Sequence, residues 1–296
     1  MIDLSVIIVN YNTRDLLRDC LESVYASEVG FTYEVIVVDN CSPDDSVRVV
    51  QQEFPQVELV VSDVNGGYAY GNNLGLRRAR GRDLLLLNAD TVLPPTALRG
   101  MMDFMRAHPD AGVAGPKLVL ADGSLDLACR RSFPTLEVAL YRLLGLSRRY
   151  PHSPRYNRYN LGYLDPDEVA EVDSVVGAFM WIRREALDQA GLLDERFFMY
   201  AEDIDLCYRI KMDHGWKVYY NPAVEVTHYK SQSTKARWVP MTVEFYRAMW
   251  HFHEKHYART TFFLLNWVTA IGLVGLCGLA LIINALRRPE NRKVGL

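Results

Sequence analysis

The chain has 296 residues, 49% hydrophobic and 23% charged, with a formal net charge of −3. That length and balance describe one large α/β domain or two small ones, and the near-neutral charge leaves no footprint for nucleic acid, which is excluded as an expected partner. Five scattered cysteines (Cys20, Cys41, Cys129, Cys207 and Cys277) with no Cys-x-x-Cys pair argue against a disulfide framework or a structural zinc site, and point to a reducing compartment, most simply the cytoplasm.

The amino terminus lacks a basic n-region and a cleavage site, so it is expected to open a first strand rather than a signal peptide. Residues 4–9 form a continuous apolar run, as in a strand buried on both faces. Residues 13–25 follow with helical spacing at Leu16, Leu17, Cys20, Leu21 and Val24. Then come a strand over 33–38, a helix over 46–54, a strand over 57–62, a helix over 68–79 and a strand over 83–87. This alternation predicts an α/β, Rossmann-like fold on a mostly parallel, doubly wound central sheet. A helix over 94–108 and a strand over 112–120 come next.

Residues 121–172 lose periodicity, and between 130 and 158 seven arginines accompany a single acid, Glu137, around a short apolar stretch at 136–146. This basic insertion is either a solvated loop or an amphipathic element that rests on anionic lipid or grips an acceptor phosphate. Order returns over 173–183 and continues to about 233, so the main domain is expected to span 1–238. Beyond Pro240, Met241, Phe245, Ala248, Met249 and Phe252 recur at helical spacing among Trp238, Trp250 and Tyr257. A helix over 239–259 therefore either packs on the main domain or is interfacial and leads into a membrane.

Residues 260–286 carry no charge. As a helix they would extend roughly 40 Å, against a hydrocarbon core of about 30 Å, and a membrane segment is expected. Lys255 and Arg259 precede it, and Arg287, Arg288, Arg292 and Lys293 form a basic tail over 287–296. The positive-inside rule would keep that tail in the cytoplasm, which a single crossing from a cytoplasmic domain would violate. Gly272, Gly275 and Gly278 would permit a re-entrant or in-plane arrangement, and the sequence leaves the choice open.

Ligands of open parallel sheets bind beyond the carboxyl ends of the strands. Three polar clusters fall there: Asn10-Tyr11-Asn12; Asp39 with Asn40 and Ser42; and Asn88-Ala89-Asp90. Each alone reads equally well as a turn or cap, but three in register mark a site. Asp39 could accept the N3–H of uracil or thymine. Asn65-Gly66-Gly67 is a glycine turn or a phosphate- or ribose-facing helix start, and Asn72 and Asn73 beyond it could face the site or solvent. Asn88-x-Asp90 is a degenerate form of the Asp-x-Asp pattern that binds a sugar diphosphate with Mg²⁺ or Mn²⁺; Asp90 is then the metal ligand, and Asn88 contacts ribose or sugar.

Glu202-Asp203-Ile204-Asp205 opens a helix, where acids cap the dipole and Asp205 pairs with Arg209 at i,i+4. One of these carboxylates can also serve as a base toward a sugar hydroxyl. His228, after a strand-like segment over 216–226 and before Ser231 and Ser233, is either structural or a further metal ligand. His251, His253 and His256 invite a zinc reading but are expected at an interface.

Together these stretches resemble the family 2 glycosyltransferases of GT-A fold, particularly a bacterial rhamnosyltransferase-like branch. The resemblance runs over residues 4–235 through Ser5-Val6-Ile7-Ile8-Val9-Asn10-Tyr11-Asn12, Val37-Val38-Asp39-Asn40-x-Ser42 and Asn65-x-Gly67-Tyr68-Ala69-x-Gly71-Asn72-Asn73-x-Gly75. It continues through Leu87-Asn88-x-Asp90, residues 177–184, residues 191–209 with Glu202-Asp203-x-Asp205, and His228-x-x-x-Gln232-Ser233. Asn88 stands where the family's usual pattern has an acid, Ala89 where it has proline, and the histidine ending is less regular.

The resemblance implies an inverting single displacement on a nucleotide-diphosphate sugar. Asp203 would take the acceptor proton, with Glu202 orienting the acceptor or Asp203. Mg²⁺ or Mn²⁺ on Asp90 and His228 would stabilise the departing diphosphate. Val9, Asn10, Asn12, Asp39, Asn65, Asn73, Asn88 and Asp90 would hold the donor. A membrane-bound, polyprenyl-diphosphate-linked saccharide is the implied acceptor, L-rhamnose from dTDP-rhamnose is the first choice of donor, and a homodimer is left open. The alternatives are another donor (UDP-galactofuranose or UDP-GlcNAc) or a non-catalytic, membrane-anchored nucleotide-sugar-binding scaffold. A processive synthase is disfavoured, because Ala236-Arg237-Trp238 only partly matches a Gln-x-x-Arg-Trp motif.

Overall fold

A computed structural model describes residues 2–230, 238–288 and 292–295. Ser231, Gln232, Ser233, Ala236 and Arg237 lie outside the described residues. The first half alternates as the sequence predicts: β1 (Leu4–Asn10), α1 (Arg14–Tyr25), β2 (Tyr33–Asp39), α2 (Ser46–Glu53), β3 (Glu58–Val61), α3 (Gly67–Leu76) and β4 (Asp83–Asn88). These strands pair in parallel in the order β3-β2-β1-β4. Leu4, Val6, Ile7 and Ile8 of β1 are fully buried, because both faces of a strand flanked by two parallel neighbours are covered. The helix α3 lies close against the sheet through Gly71, where a Cβ would meet the Val9 side chain at 2.7 Å. That contact sets the amino end of α3 over the carboxyl ends of β1 and β2.

Beyond β4 the sheet becomes mixed. The chain continues through β5 (Thr91–Val92), α4 (Ala97–Ala107) and β6 (Ala111–Val119), then the insertion. Within the insertion are a 3-10 turn (Leu127–Cys129), α5 (Leu136–Leu143), α6 (Leu146–Arg149) and β7 (Ala170–Val172). There follow β8 (Phe179–Arg183), α7 (Arg184–Ala190), α8 (Glu202–Tyr208) and β9 (Lys217–His228). β8 enters antiparallel between β4 and β6, while β9 runs parallel to β6 and antiparallel to β5 and β7. Unbroken parallel order therefore runs through the first four strands, and β6 with β9 is a further parallel pair in the mixed half. The long insertion replaces the regular strand–helix alternation that imposes it.

The insertion divides. Arg130, Arg131 and Ser132 are buried in the domain, whereas α5 buries no residue and leaves Leu140, Leu143 and Leu144 exposed.

The last two elements are α9 (Trp238–His256) and α10 (Phe263–Leu286). α9 packs on the domain: Phe252 is 2% exposed and meets Tyr208 edge to face, and Phe245 meets Tyr200 in the same way. α10 has a mean hydropathy of 2.2 over an 18-residue window. The three histidines of α9 diverge. His251 packs on Phe197, His253 bonds the Asn266 side chain at 2.7 Å, and His256 bonds Asp205 at 2.7 Å. The buried His253 and the His256–Asp205 bond place these two in packing contacts rather than on an open interface.

Asp205 joins α8 to α9. Its fully buried carboxylate accepts from Lys255 and His256 of α9 and from Arg209 at 3.0 Å, and Lys255 also reaches Asp194 at 2.8 Å. Burial opposes the charge, but His256, Arg209 and Lys255 together hold this carboxyl below its usual range. Removing one member of a buried ion cluster strands the others. Asp205→Ala should therefore cost about 3–5 kcal/mol in denaturant unfolding, with α9 the first helix to lose amide protection. A change within experimental error would show that the cluster holds nothing.

Candidate active site

Register brings the predicted clusters to one edge. Asn10 pairs with Asp39 across β1 and β2, and Val9 pairs with Asn88 across β1 and β4. An open cleft with a cavity volume of about 130 Å³ lies there. Val9, Asn65, Asn88 and Asp90 line it, as do Tyr11, Thr13 and Asn40. The opposite wall is Phe198, Met199 and, from α9, Met241.

Other predicted residues stand behind that surface. Asn10 is fully buried and donates to Asp39 Oδ2 and Ser42 Oγ, both at 3.0 Å. Asp39, 2% exposed, also accepts the Ser42 N–H at 2.8 Å. Asn12 is exposed, in a left-handed conformation at φ 56°, with its N–H on Ser42 Oγ. These residues shape the turns that carry Tyr11 and Asn40. Asn73 is not brought to the cleft: its amide donates to the Leu193 carbonyl at 2.9 Å and accepts the Leu193 N–H at 3.1 Å, clamping α3 to the loop before α8. Asn72 is buried beside it, its amide on the Tyr68 carbonyl.

The Asn65-Gly66-Gly67 turn is tied by Asn40, whose amide reaches Asn65 Oδ1 at 3.1 Å and the Gly67 carbonyl at 3.0 Å. Gly67 sits at φ 89° with the Phe198 carbonyl 2.2 Å from where a Cβ would be, so only glycine fits. That approach lets the Tyr68 N–H donate to Phe198 O at 2.7 Å, docking the loop before α8 onto α3. Tyr200 and Ala201 in this loop have φ of 73° and 65°. Adjacent left-handed non-glycine residues cost about 1–2 kcal/mol each, and such strain collects at functional sites.

Asp90 and His228 face one another, with Oδ1 and Nε2 3.3 Å apart. The other imidazole nitrogen bonds Asp126 Oδ2 at 3.1 Å, and Lys230 bonds the second Asp126 oxygen at 2.7 Å. Burial alone would lower the pKa of His228, but its bonds to Asp126 and Asp90 hold it up to about 9. Asp126 is also buried, yet His228 and Lys230 keep its carboxyl well below the usual range. The Asp90 oxygen and the His228 Nε2 are donors that would fit Mg²⁺ or Mn²⁺ once the ring gives up its Nε2 proton, so binding would displace that proton. Among the described residues no cluster of three ligating side chains exists.

Asp203 is held from two sides. Its Oδ2 accepts from the Arg131 guanidinium at 2.7 Å and from the Gly177 N–H at 3.1 Å, and its Oδ1 accepts the Ile204 N–H at 2.7 Å. Glu202 is buried with Oε2 unpartnered. Burial and the neighbouring Asp203 charge push its pKa up to about 8. Tyr68 connects these acids to the cleft it lines: its hydroxyl donates to the Gly177 carbonyl at 2.7 Å. Burial and the charges of Glu202, Asp203 and Asp90 raise that phenol well above its ordinary value. Sequence reasoning missed Asp126, Arg131 and Met241. Arg131 is one of seven arginines in a stretch without periodicity, and no local pattern distinguishes it or Asp126 from surface charge.

A mixed α/β sheet with its polar strand ends facing an acidic helix start has the GT-A architecture. The structure resembles S. aureus TarS 1-349 in complex with UDP-GlcNAc, with a TM-score of 0.57 and 20% identity over 84% of this chain and 65% of that chain. It also resembles the mannosyltransferase PcManGT from Pyrobaculum calidifontis in complex with GDP-Man and Mn²⁺, with a TM-score of 0.55 and 19% identity over 85% of this chain and 63% of that one. The chain spans under two thirds of either solved chain, and the likeness is one of fold. The model of Glycosyl transferase family 2 matches residues 5–191, and the chain belongs to that family. Within it the chain is similar to an N-acetylglucosaminyl-diphospho-decaprenol L-rhamnosyltransferase of Mycobacterium tuberculosis, 28% identical over 88% of this chain and 87% of the relative. It is also similar to rhamnosyltransferase WbbL of Escherichia coli K12, 26% identical over 78% and 85%.

Two measurements bear on these side chains. Because the folded state raises the Glu202 pKa from 4.5 to about 8, this group's contribution to stability is complete below pH 4.5 and is lost as pH rises through about 8. Denaturation midpoints should decline over that window, and Glu202→Gln should flatten the decline; an unaltered slope would mean that the carboxyl titrates normally. Asp126→Asn, which unseats the His228 ring, should weaken Mn²⁺ binding measured by calorimetry on the donor-free protein by about 10–100-fold. Equal affinities would sever Asp126 from the metal site.

Proposed function

We propose that this glycosyltransferase is an inverting, metal-dependent enzyme of cell-surface polysaccharide synthesis. It moves a sugar, L-rhamnose from dTDP-rhamnose as first choice, onto a polyprenyl-diphosphate-linked saccharide at the cytoplasmic face of the plasma membrane. The observation that carries the reading is the pair of charge arrangements at and behind the cleft: Asp90, which lines it, against buried His228, and Asp203, gripped by buried Arg131 and joined through Gly177 to the cleft-lining Tyr68. The similarity to rhamnosyltransferases supports the donor, and the decaprenol-linked substrate in the name of the mycobacterial relative supports the acceptor.

The donor's nucleoside would lie over Val9, Tyr11, Asn40 and Asn65, with Asp39 and Asn10 setting the turns beneath. Asn88 would contact ribose or sugar. Asp90 and His228 would hold Mg²⁺ or Mn²⁺, which supplies positive charge to the leaving diphosphate. Asp203 Oδ1, which keeps a lone pair beyond its bond to the Ile204 N–H, takes the acceptor hydroxyl's proton as that oxygen attacks the anomeric carbon. Arg131 orients this carboxylate by occupying the opposite oxygen. Glu202, whose carboxyl is pushed toward its protonated form by burial and by Asp203, would orient the acceptor or Asp203. Its unpartnered Oε2 also favours a second reading in which Glu202 is the proton acceptor.

Purified protein should consume one donor from a panel of dTDP-, UDP- and GDP-sugars when given lipid-diphosphate acceptor and Mn²⁺ or Mg²⁺. Nucleotide binding without consumption of any donor would favour a scaffold. Asp203→Asn should lower kcat by about 10²–10⁴ with the donor KM little changed, and Arg131→Lys should lower it about 10²-fold through misplacement of the base. If Asp203→Asn retained wild-type kcat while Glu202→Gln abolished it, the base would be Glu202.

A further inference from the structure

The helix α10 is long and apolar enough to cross a bilayer, yet it does not project from the domain. It packs antiparallel along α9. Near its start, Asn266 meets His253 at 2.7 Å. Toward its end, Ala280 and Asn284 are fully buried, and the Asn284 side chain accepts the Lys293 N–H at 3.0 Å. The returning tail then reaches the opposite end of α9, where the Arg292 guanidinium lies 5.1 Å from the centre of the Trp238 ring and Gly295 abuts Phe245. Both ends of α10 are thus bound to a helix that is itself clamped to the catalytic domain through Asp205.

A crossing helix held this way would draw α9 into the hydrocarbon beside it. α9 carries Glu244, Arg247, Glu254 and Lys255, and a charge at bilayer depth costs about 2.5–3.5 kcal/mol or more. The outward side of α10 has the opposite character. Trp267, Ile271, Val274 and Ile282 are each at least 60% exposed, and only 11% of the most apolar window is buried. Four cations, Arg287, Arg288, Arg292 and Lys293, follow it. An apolar stripe beside a basic tail is complementary to lipid tails below anionic headgroups.

We propose that α10 lies in the plane of the bilayer as a monotopic anchor, its outward side sunk about 5–10 Å into one leaflet and its basic tail on the same side as the catalytic domain. The polar side that such a helix needs is supplied by α9. The arrangement keeps the tail on the cytoplasmic side, as the positive-inside rule requires. It also sets α9, and with it Met241 of the cleft, at headgroup level, where a lipid-linked diphosphate resides. The inference rests on the membrane reading above, and its test separates the two.

Full-length protein carrying distinct amino- and carboxyl-terminal epitopes would be examined in inverted inner-membrane vesicles treated with protease. Both tags should be digested from the outside, with the protein resistant to high-salt washing. Val268→Glu/Ile271→Glu/Val274→Glu should release it into the soluble fraction as a folded monomer that still binds nucleotide. Digestion of one tag only would overturn the in-plane anchor and leave the membrane reading intact. Wild-type protein recovered entirely in the salt wash, or as a soluble dimer lost in the triple variant, would overturn both.

Discussion

The register of β1 against β2 and β4 is the constraint on which the site depends. Because Asn10 lies opposite Asp39 and Val9 opposite Asn88, the apolar runs end together and three turns open at one level. A slip of one residue would turn each buried side chain of β1 to the other face of the sheet and separate Asn10 from Asp39. Because β1 is apolar on both faces, burial alone does not forbid that slip; the close approach of Gly71 and Gly75 of α3 to Val9 and Ile7, and the Asn10–Asp39 bond, fix the register. The core therefore positions the cleft, and Asn10 and Asp39 lock the turns without lining them.

The other half of the site is set by buried charge. Asp203, Asp205 and Asp126 are each 5% exposed or less, and each is paired: with Arg131, with Lys255, His256 and Arg209, and with His228 and Lys230 respectively. Desolvating such groups is costly, and pairing offsets that cost while fixing their geometry. Glu202 is the exception. Buried with an oxygen free, it responds by holding its proton.

Most of the fold was legible where the chain obeys a period. Strand and helix signals up to residue 119 fall within a few residues of the observed elements, because alternation of buried strands and amphipathic helices leaves its mark locally. The second half was less legible. β8 inserts antiparallel through contacts with β4 and β6 that no local pattern announces, and the insertion's arginines serve opposite ends, Arg131 buried on a carboxylate and Arg142 exposed on α5. The site followed the same division. Asn88 and Asp90 line the cleft at the end of β4, Asn65 lines it from the glycine turn before α3, and His228 stands against Asp90. Asn73, on the same helix as Tyr68, instead clamps a distant loop, since spacing along α3 does not reveal which loop packs over it. Arg131, Asp126 and Met241 are supplied by tertiary contacts alone.

The helix α9 touches the cleft through Met241, the helix α8 through Lys255 and His256, and the apolar α10 along its length. In many enzymes an apolar terminal helix is an appendage that can be cut or exchanged with little effect on the domain that bears it. Here it is a structural wall. Trimming the chain before α10 would expose the side of α9 that α10 covers and loosen the rim of the cleft at Met241.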